Sequence, residues 1–296
     1  MKVKKSTAFA FVAPFLLFFA AFWVVPFVYG LYISLHKYSF AVGKQEFVGL
    51  KNYLRILVGD STFKDSFYLG MGNTMKFVVC TVPLLVFVSL GLALLLNELP
   101  EKLKKYYRAI YFASYSVSVT AVSSTFVWLM KGNGGYLNNL LMSLGIINGP
   151  VYWLEKEPFV WITLTVATLW WTLGYNMILY VSALNEVDES LYEAATVDGA
   201  NYWQTLRYIT LPNIKSTFFF VLMTTIIASF NVYGQTRLIT EGGPGDATKS
   251  VIMIINNTIM VNNNLGIGTA MAIVMGLVIL LCTLCQHWLT REKENL

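Results

Sequence analysis

Charged residues are scarce in this sequence: they make up 12% of its 296 residues, while 56% are hydrophobic. A soluble domain usually carries about a quarter charged residues, so much of this chain has little need of water. The apolar residues fall in charge-free runs of about 20 residues or more, the length at which a helix crosses a bilayer. The composition therefore indicates a multi-span membrane protein.

Cysteine and histidine are also rare, with three and two residues. Cys80, Cys282 and Cys285 all lie within apolar runs, and the CxxC of the last two has no partners elsewhere. We therefore expect no disulfide, metal or redox site. The net charge is +5, but the basic residues mostly flank apolar runs and form no stripe with interleaved aromatics. Nucleic acid is therefore not an expected partner.

Six apolar runs are predicted to be transmembrane helices, because an isolated strand in lipid would leave its backbone groups unpaired. The first run is too long for a secretory signal peptide, so we expect it to remain as an uncleaved span. The predicted spans cover residues 8–34, 74–96, 109–130, 159–183, 216–234 and 265–289.

Lysine and arginine set the expected orientation, because they concentrate on the cytoplasmic side of a membrane. Three lysines precede the first span, and four basic residues lie between residues 97 and 108. Alternating spans place both groups on one side, together with Arg207, Lys215, Arg291 and Lys293. The long first external loop, with five basic residues, is an exception. Both termini are therefore predicted to be cytoplasmic.

The predicted spans contain no Asp, Glu, Lys or Arg apart from Lys76 near one end. Ion-coupled carriers generally need a buried ionisable group, and ion channels need a charged ring or a carbonyl filter. Neither feature is visible here. Energy for any transport is therefore expected to come from another subunit.

The polar segment 185–215, between the fourth and fifth spans, contains residues typical of helix starts and ends, which an irregular loop would not require. Asp188 is favourable at a helix start. Gly199 can adopt a positive φ and close a first short helix. A second helix over about 202–208 is predicted to stop at Pro212. The pattern predicts a helix–turn–helix finger on the cytoplasmic side.

This finger resembles the EAA motif of ABC importer permeases. The matching residues are Glu193, Ala194 and Ala195, Gly199 after three residues, Ile209 after nine, and Leu211-Pro212 after one more. Such fixed spacing is a specific signal. Four further segments are similar to the carbohydrate branch of the family: residues 49–53, Asn73-Thr74, 198–204 and 241–244. That branch includes the larger maltose permease subunit, whose extra N-terminal spans and large external insert are absent from this sequence.

The resemblance implies the all-α fold of an ABC type I importer permease, with residues 1–296 as one transmembrane domain. In that family the finger docks on a cytoplasmic ATPase. The residues to which this assigns a coupling role are Glu193, Ala194, Ala195, Asp198, Gly199, Ile209 and Pro212. Other expected partners are a second permease subunit, an extracytoplasmic solute-binding protein, a sugar and membrane lipid. ATP and magnesium would bind the ATPase dimer, while this chain would bind no cofactor or metal and catalyse no reaction. The expected location is a bacterial or archaeal plasma membrane.

Polar residues in the fourth and fifth spans are candidates for contact with the cargo. Thr168, Thr172 and Tyr175, or Asn176 in its place, share one helix face by their spacing. Alignment with the maltose subunit implies six residues near the sugar pocket: Thr168, Trp171, Thr172, Tyr175, Ser229 and Asn231. Hydroxyls, amides and aromatic faces suit a neutral polyol. Such residues also join helices together in membranes, and that alternative stays open.

Other functions require features that the spans do not offer. Glycerol phosphate or another organic anion would need cationic groups, a secondary carrier would need an intramembrane acid, and an intramembrane enzyme would need paired acids, HExxH or a Ser–His pair. A P-loop-like stretch, 243–250, lacks the glycine before Lys249 and follows no expected strand, so ATP binding is not expected. Segment 251–264 is either an interfacial helix or a gate.

Overall fold

The structure is a computed structural model that describes residues 5–39, 46–59 and 61–291. The lysines at positions 2, 4, 44 and 293, which entered the prediction of orientation, lie outside these residues. The described residues form helices and a small antiparallel pair of strands, β1 (His36–Lys37) and β2 (Glu46–Phe47). The helices are α1 (Lys5–Phe19), α2 (Val25–Ser34), α3 (Lys51–Leu57), α4 (Thr62–Asn97), α5 (Glu101–Tyr115), α6 (Val119–Leu129), α7 (Tyr136–Ser143), α8 (Phe159–Asn185), α9 (Glu189–Val197), α10 (Tyr202–Thr205), α11 (Leu211–Asn213), α12 (Lys215–Phe230), α13 (Gly234–Ile239), α14 (Val251–Asn256) and α15 (Leu265–Arg291). Three π-helical segments lie between them: Ala20–Val24, Leu206–Thr210 and Asn257–Val261.

In the part of the chain that the structure describes, four helical segments are long and apolar enough to cross a membrane. They are Phe11–Ser34, Thr62–Asn97, Phe159–Asn185 and Leu265–Trp288. Two bent pairs satisfy the same test together, α5 with α6 and Tyr202–Asn213 with α12. Counting each bent pair as one span gives six, in agreement with the predicted number. The second of these helices begins at Thr62, well before the predicted start at residue 74.

The prediction of one uninterrupted span over 109–130 is wrong, because α5 and α6 meet at 89°. Ser118 caps the start of α6, where its side chain accepts a hydrogen bond from the backbone N–H of Ala121 at 3.3 Å. Ser114 donates to the carbonyl of Tyr111 one turn earlier. Serine side chains offer the backbone local hydrogen bonds that compete with a continuing helix. An apolar run does not reveal this competition.

The prediction that Pro212 stops the second helix of the finger is also wrong. Helical backbone continues from Tyr202 to Asn213, through the π-helical segment Leu206–Thr210. The N–H of Leu211 bonds to the carbonyl of Leu206, five residues back. A π-turn widens the helix at the place where a proline ring would strike the preceding turn. Pro26 likewise follows the π-helical segment Ala20–Val24.

Contacts divide the chain into two compact units, of which the first comprises Met1–Leu69 and Ile254–Val278. Within it, the buried Asn52 donates to the carbonyls of Ser34 and His36 at 2.8 and 3.0 Å. These bonds fasten α3 to the end of α2. The side chains of residues 11–29 are almost all exposed and apolar, as expected of a surface that faces lipid or another subunit.

The second unit comprises Gly70–Met253 and Ile279–Leu296, and α8 lies at its centre, packed against α5, α6, α12 and α13. Its hydrophobic core includes Phe77, Leu164 and Val232. Within α4, Asn73 donates to the carbonyls of Asp246 and Lys249, and Thr74 accepts from the N–H of Val251. These bonds fix the turn that contains the P-loop-like residues, which form no strand.

Segment 251–264, left open by the sequence, is helical through α14 and the π-helical segment that follows it. The N–H of Asn262 bonds to the carbonyl of Asn257 and ends the helix there.

Candidate functional site

The site is built on a close approach of α8 to α5. A Cβ atom at Gly174 would collide with the carbonyl of Tyr111 and crowd the amide of Phe112. Only glycine therefore allows the two helices to lie this close. The approach places Tyr115, the last residue of α5, beside Tyr175, and their rings stack with centroids 5.0 Å apart.

A cavity of about 370 Å³ lies beside this contact, between α8 and the α12–α13 segment. All six residues that the sequence pointed to line it: Thr168, Trp171, Thr172, Tyr175, Ser229 and Asn231. The structure thus brings together four residues of α8 and two residues at the end of α12, which are far apart in the chain. The four residues of α8 lie in the central part of this 27-residue helix.

The cavity also has lining residues outside the predicted six. The polar ones are Tyr115, Asn176, Thr224, Thr225, Tyr233 and Gln235. Asn176 and Thr225 follow from helical spacing on α8 and α12, which offered a signal for them. Tyr115 had none, because its position depends on Gly174 and on the bend after α5.

The second wall of the cavity forms where α12 ends. Asn231 is the C-terminal cap of α12, and its side-chain N–H donates to the carbonyl of Ile227 at 2.7 Å. The chain resumes as α13 at Gly234, where an added Cβ would collide with the side chain of Val119 from α6. Side chains and backbone at a helix break can thus face a cavity without facing lipid.

Hydrogen bonds hold the polar wall in place. Thr168 donates to the carbonyl of Leu164 at 2.7 Å, and Thr172 donates to the carbonyl of Thr168 at 2.8 Å. Trp171 donates through Nε1 to the carbonyl of Val117 at 2.9 Å. Thr168 and Thr172 are therefore fixed by their own helix, and Trp171 by the link between α5 and α6.

Between the two walls, the amide of the buried Asn176 donates to the hydroxyl of Thr225 at 3.1 Å. This bond joins α8 to α12 directly.

None of the residues that line the cavity is an Asp, Glu, Lys, Arg or His. Across the described residues, no three His, Cys, Asp or Glu side chains are grouped so as to hold a metal ion. The cavity can therefore offer hydroxyls, amides and aromatic faces to a solute, and no ionic contact.

The finger is a second candidate functional feature. Its first helix is capped by a side-chain hydrogen bond at one end and by backbone hydrogen bonds at the other. Asp188 caps α9 and accepts from the N–H of Ser190 at 3.0 Å. This hydrogen bond lowers the pKa of Asp188. The stabilisation by the charged cap is therefore complete above the ordinary aspartate pKa and is lost only as the pH falls below it.

At the other end of α9, Gly199 has a φ of 73°. The N–H of Ala200 bonds to the carbonyl of Ala195, and that of Gly199 to the carbonyl of Thr196. This pair of bonds is a Schellman motif, which favours glycine. The predicted role of Gly199 in the backbone is confirmed.

The second helix of the finger begins with a capping box. Asn201 accepts from the N–H of Gln204 at 3.0 Å, and the Gln204 side chain accepts from the N–H of Asn201 at 2.8 Å. The hydroxyls of Tyr192 and Thr210 lie 3.3 Å apart and connect the two helices. The finger is therefore an ordered hairpin with its own internal contacts.

The motif residues differ in exposure. Glu193, Ala194, Asp198, Gly199 and Pro212 are exposed, and Ile209 is half-buried, whereas Ala195 is buried at 7% exposure. Ala195 therefore shapes the finger from inside. Sequence reasoning missed three large apolar side chains that the finger exposes strongly: Val197 at 88%, Trp203 at 73% and Tyr208 at 71%.

A bundle of apolar helices, an uncharged polar cavity and an ordered polar finger define a membrane transport subunit as the class of this protein. Residues 86–294 match the family model for the "binding-protein-dependent transport system inner membrane component". That match covers well over half of the chain. The chain belongs to this family and is a multi-pass inner-membrane transport subunit, not an enzyme.

Similarity to individual proteins extends over almost the whole chain. The lactose transport system permease protein LacF of Rhizobium radiobacter is 29% identical, over 96% of this chain and 94% of its own. The trehalose/maltose transport system permease protein MalF of Thermococcus litoralis is 29% identical, over 96% of this chain and 93% of its own. A chain of a bacterial ABC transporter that imports the acidic polysaccharide alginate superposes with a TM-score of 0.83 at 22% identity, over 97% of this chain and 95% of its own. The fold is that of an ABC type I importer permease, as predicted.

Replacement of Gly174 by alanine should separate α5 from α8 and lower thermal stability and transport together, because the new methyl group meets the Tyr111 carbonyl. We expect a cost of about 1–3 kcal/mol, the usual range for overpacking. Gly91→Ala in α4 is the matched control, since a Cβ there meets nothing within 4 Å. Thermal unfolding of the purified complex and uptake in vesicles measure the two effects. Equal stability of the two variants would contradict the close contact.

Proposed function

We propose that this chain is the permease subunit of a binding-protein-dependent ABC importer for a sugar or oligosaccharide. One observation carries the proposal: six polar and aromatic residues from α8 and the end of α12 line a single uncharged cavity. Sugars combine hydroxyl groups with apolar ring faces, and this wall combines hydroxyls and amides with stacked aromatic rings. The printed names of the relatives LacF and MalF, which refer to lactose and to trehalose and maltose, support a carbohydrate.

The alternative cargo, glycerol phosphate or another organic anion, fits the cavity less well. An anion buried without a cationic partner loses its hydration without compensation. No cationic side chain lines the cavity. An ion-coupled carrier is disfavoured for the related reason that the lining offers no acid to relay a proton.

The chain forms half of the pathway in this proposal, as one permease domain beside a second permease subunit. A solute-binding protein delivers the sugar from outside, and two ATPase subunits, which bind ATP and magnesium, act on the cytoplasmic side. A solved alginate ABC transporter in complex with its substrate-bound periplasmic protein supports this composition. ATP binding closes the ATPase pair, draws the fingers together and turns the cavity outward.

The finger is proposed to be the contact with the ATPase. Glu193, Ala194 and Asp198 lie on its exposed surface, together with the exposed Val197 and Trp203. Large apolar side chains exposed on a polar, water-facing element mark a protein contact. Four other motif residues set the shape of the finger. Ala195 is buried and Ile209 is half-buried, Gly199 has a positive φ, and Pro212 follows the π-turn.

The finger and both termini are proposed to be cytoplasmic. Basic residues at the start of α5 support this orientation, because lysine and arginine accumulate on the cytoplasmic side. The residues concerned are Lys102, Lys104, Lys105 and Arg108.

The sugar site is tested by Tyr175→Ala and Asn231→Ala. We expect each to lower sugar uptake about two- to tenfold, since a lost aromatic or hydrogen-bonding contact typically costs about 0.5–1.5 kcal/mol. Assembly with the partner subunits should be unchanged. Val166→Ala, at an exposed position of α8 outside the cavity, is the control. Wild-type kinetics in both cavity variants would remove this site.

The coupling role is tested by a graded series at Gly199. An added Cβ meets nothing within 4 Å there, so uncharged substitutions act through the positive φ alone. Asparagine tolerates this conformation and a β-branched residue does not. Uptake should therefore decrease from Gly199→Asn to Gly199→Val. Gly199→Asp adds a negative charge at the C-terminal end of α9, where the helix dipole disfavours it, and should abolish uptake in complexes that still assemble or are only loosened. Full uptake by Gly199→Asp would refute the coupling role.

Orientation is tested with single cysteines on a background without Cys80, Cys282 and Cys285. Ser190→Cys in the finger should react with a membrane-impermeant maleimide only from the cytoplasmic side. Ser143→Cys in α7 should react only from outside. Both positions are exposed. Labelling of the finger in intact spheroplasts would reverse the proposed topology.

A further inference from the structure

One face of α5 is exposed over its first turns, and its side chains follow a regular order. Lys102, Tyr106 and Ile110 are spaced four residues apart, and Lys105 lies beside them, so the four share one face of the helix. All four are exposed, Tyr106 at 69% and Ile110 at 65%. The face therefore runs from two ammonium groups through a phenol to an aliphatic side chain.

The two lysines on this face differ from their basic neighbours in lacking a partner. Lys104 forms an ion pair with Glu101, with its Nζ atom 2.9 Å from Oε1, and its side chain is only 13% exposed. Arg108 is half-buried. Among the residues that the structure describes, Lys102 and Lys105 form no ion pair. Their charge is therefore left for a partner outside this chain.

The opposite side of α5 is already occupied by α8. The carbonyl of Tyr111 lies where a Cβ atom at Gly174 would stand, and the hydroxyl oxygen of Ser114 lies 3.5 Å from the carbonyl oxygen of Trp171. Together, α5 and α6 are long and apolar enough to cross a membrane. The exposed face of α5 therefore continues the surface of a membrane-crossing element, whose natural neighbour is lipid.

The order of groups on this face matches the order of layers in a phospholipid monolayer. At about 1.5 Å per residue, Lys102 and Ile110 are about 12 Å apart along the helix. The polar layer on each side of a bilayer is about 5–8 Å thick, and lysine side chains extend toward water to reach it. With Ile110 in hydrocarbon, the Tyr106 ring lies at the border and the two amines lie at the level of the phosphates.

We propose that Lys102, Lys105 and Tyr106 bind the phosphate headgroup of an anionic phospholipid, with an acyl chain of the same lipid against Ile110. The proposed orientation places this lipid in the cytoplasmic leaflet, and the site goes beyond the proposed sugar pathway. Charge complementarity favours this occupant, because each lysine near an anionic membrane surface strengthens binding about fivefold. A helix of another subunit would need carboxylates at the level of the headgroups to pair with the same amines.

The test compares two lipids at a fluorophore on this face. The importer is purified through a tag on this chain and reconstituted in phosphatidylcholine bilayers. Ala109→Cys, exposed one turn after Lys105, carries a bimane label, and the three native cysteines are replaced by serine. A small share of the lipid is nitroxide-labelled phosphatidylglycerol or nitroxide-labelled phosphatidylcholine, with the nitroxide on the same acyl carbon. Quenching of the bimane gives the relative association constant of each lipid at this face.

We expect the association constant at Ala109→Cys to be at least about fivefold higher for phosphatidylglycerol than for phosphatidylcholine. Val88→Cys in α4, which is exposed and has no basic residue near it in sequence, is the control, and there the two lipids should quench equally. Lys102→Gln combined with Lys105→Gln should abolish the difference at Ala109→Cys, and each single glutamine substitution should reduce it. Lys102→Arg combined with Lys105→Arg should retain it, because arginine keeps the charge and binds phosphate.

Equal quenching by the two lipids at Ala109→Cys, or a preference that survives the removal of both lysine charges, would overturn the proposal. Quenching by neither lipid at Ala109→Cys, with normal quenching at Val88→Cys, would mean that another subunit covers this face of α5, and would also overturn it. No sugar enters the measurement, so a negative result leaves the proposed sugar site as it stands.

Discussion

Every backbone polar group inside a membrane must find its partner within the protein, and this constraint shapes most of the structure. It keeps the spans helical, and it also explains the behaviour of their hydroxyl groups. In α8 and α12, Thr168, Thr172 and Thr224 donate to a carbonyl one turn earlier. Each of these bonds pairs the hydroxyl proton within its own helix and leaves the oxygen free to accept.

The water-facing finger obeys the opposite rule. Its helix ends are closed by local devices suited to solvent: the Asp188 cap, the Schellman motif at Gly199 and the capping box of Asn201 and Gln204. Each satisfies backbone groups that a short helix leaves unpaired. A nine-residue helix would be marginal alone, and its caps make it a defined shape. A defined shape is what the proposed contact with an ATPase subunit requires.

Much of this architecture could be predicted from local chemistry. Hydropathy gave the number of spans, and charge and glycine placement gave the finger, because those signals are carried by neighbouring residues. The six cavity residues were found by spacing and resemblance, and the structure brings them together. What escaped prediction depends on contacts distant in sequence or on backbone detail. Tyr115 reaches the cavity only because Gly174 admits α5, and the helix passes Pro212 only because a π-turn precedes it.

The finger and the cavity are connected by one short mechanical path. Helical backbone runs from Tyr202 to Asn213, turns by 66° at the buried Ile214, and continues as α12 to Phe230, beside the cavity. At about 1.5 Å per residue, the 16 residues of α12 span about 24 Å. A tilt of the finger about Ile214 would move the far end of α12. Since Thr225 on α12 is bonded to Asn176 on α8, such a tilt must either carry α8 along or break that bond. Either outcome alters both walls of the cavity at once, so a force applied to the finger would reach the proposed sugar site through a single helix.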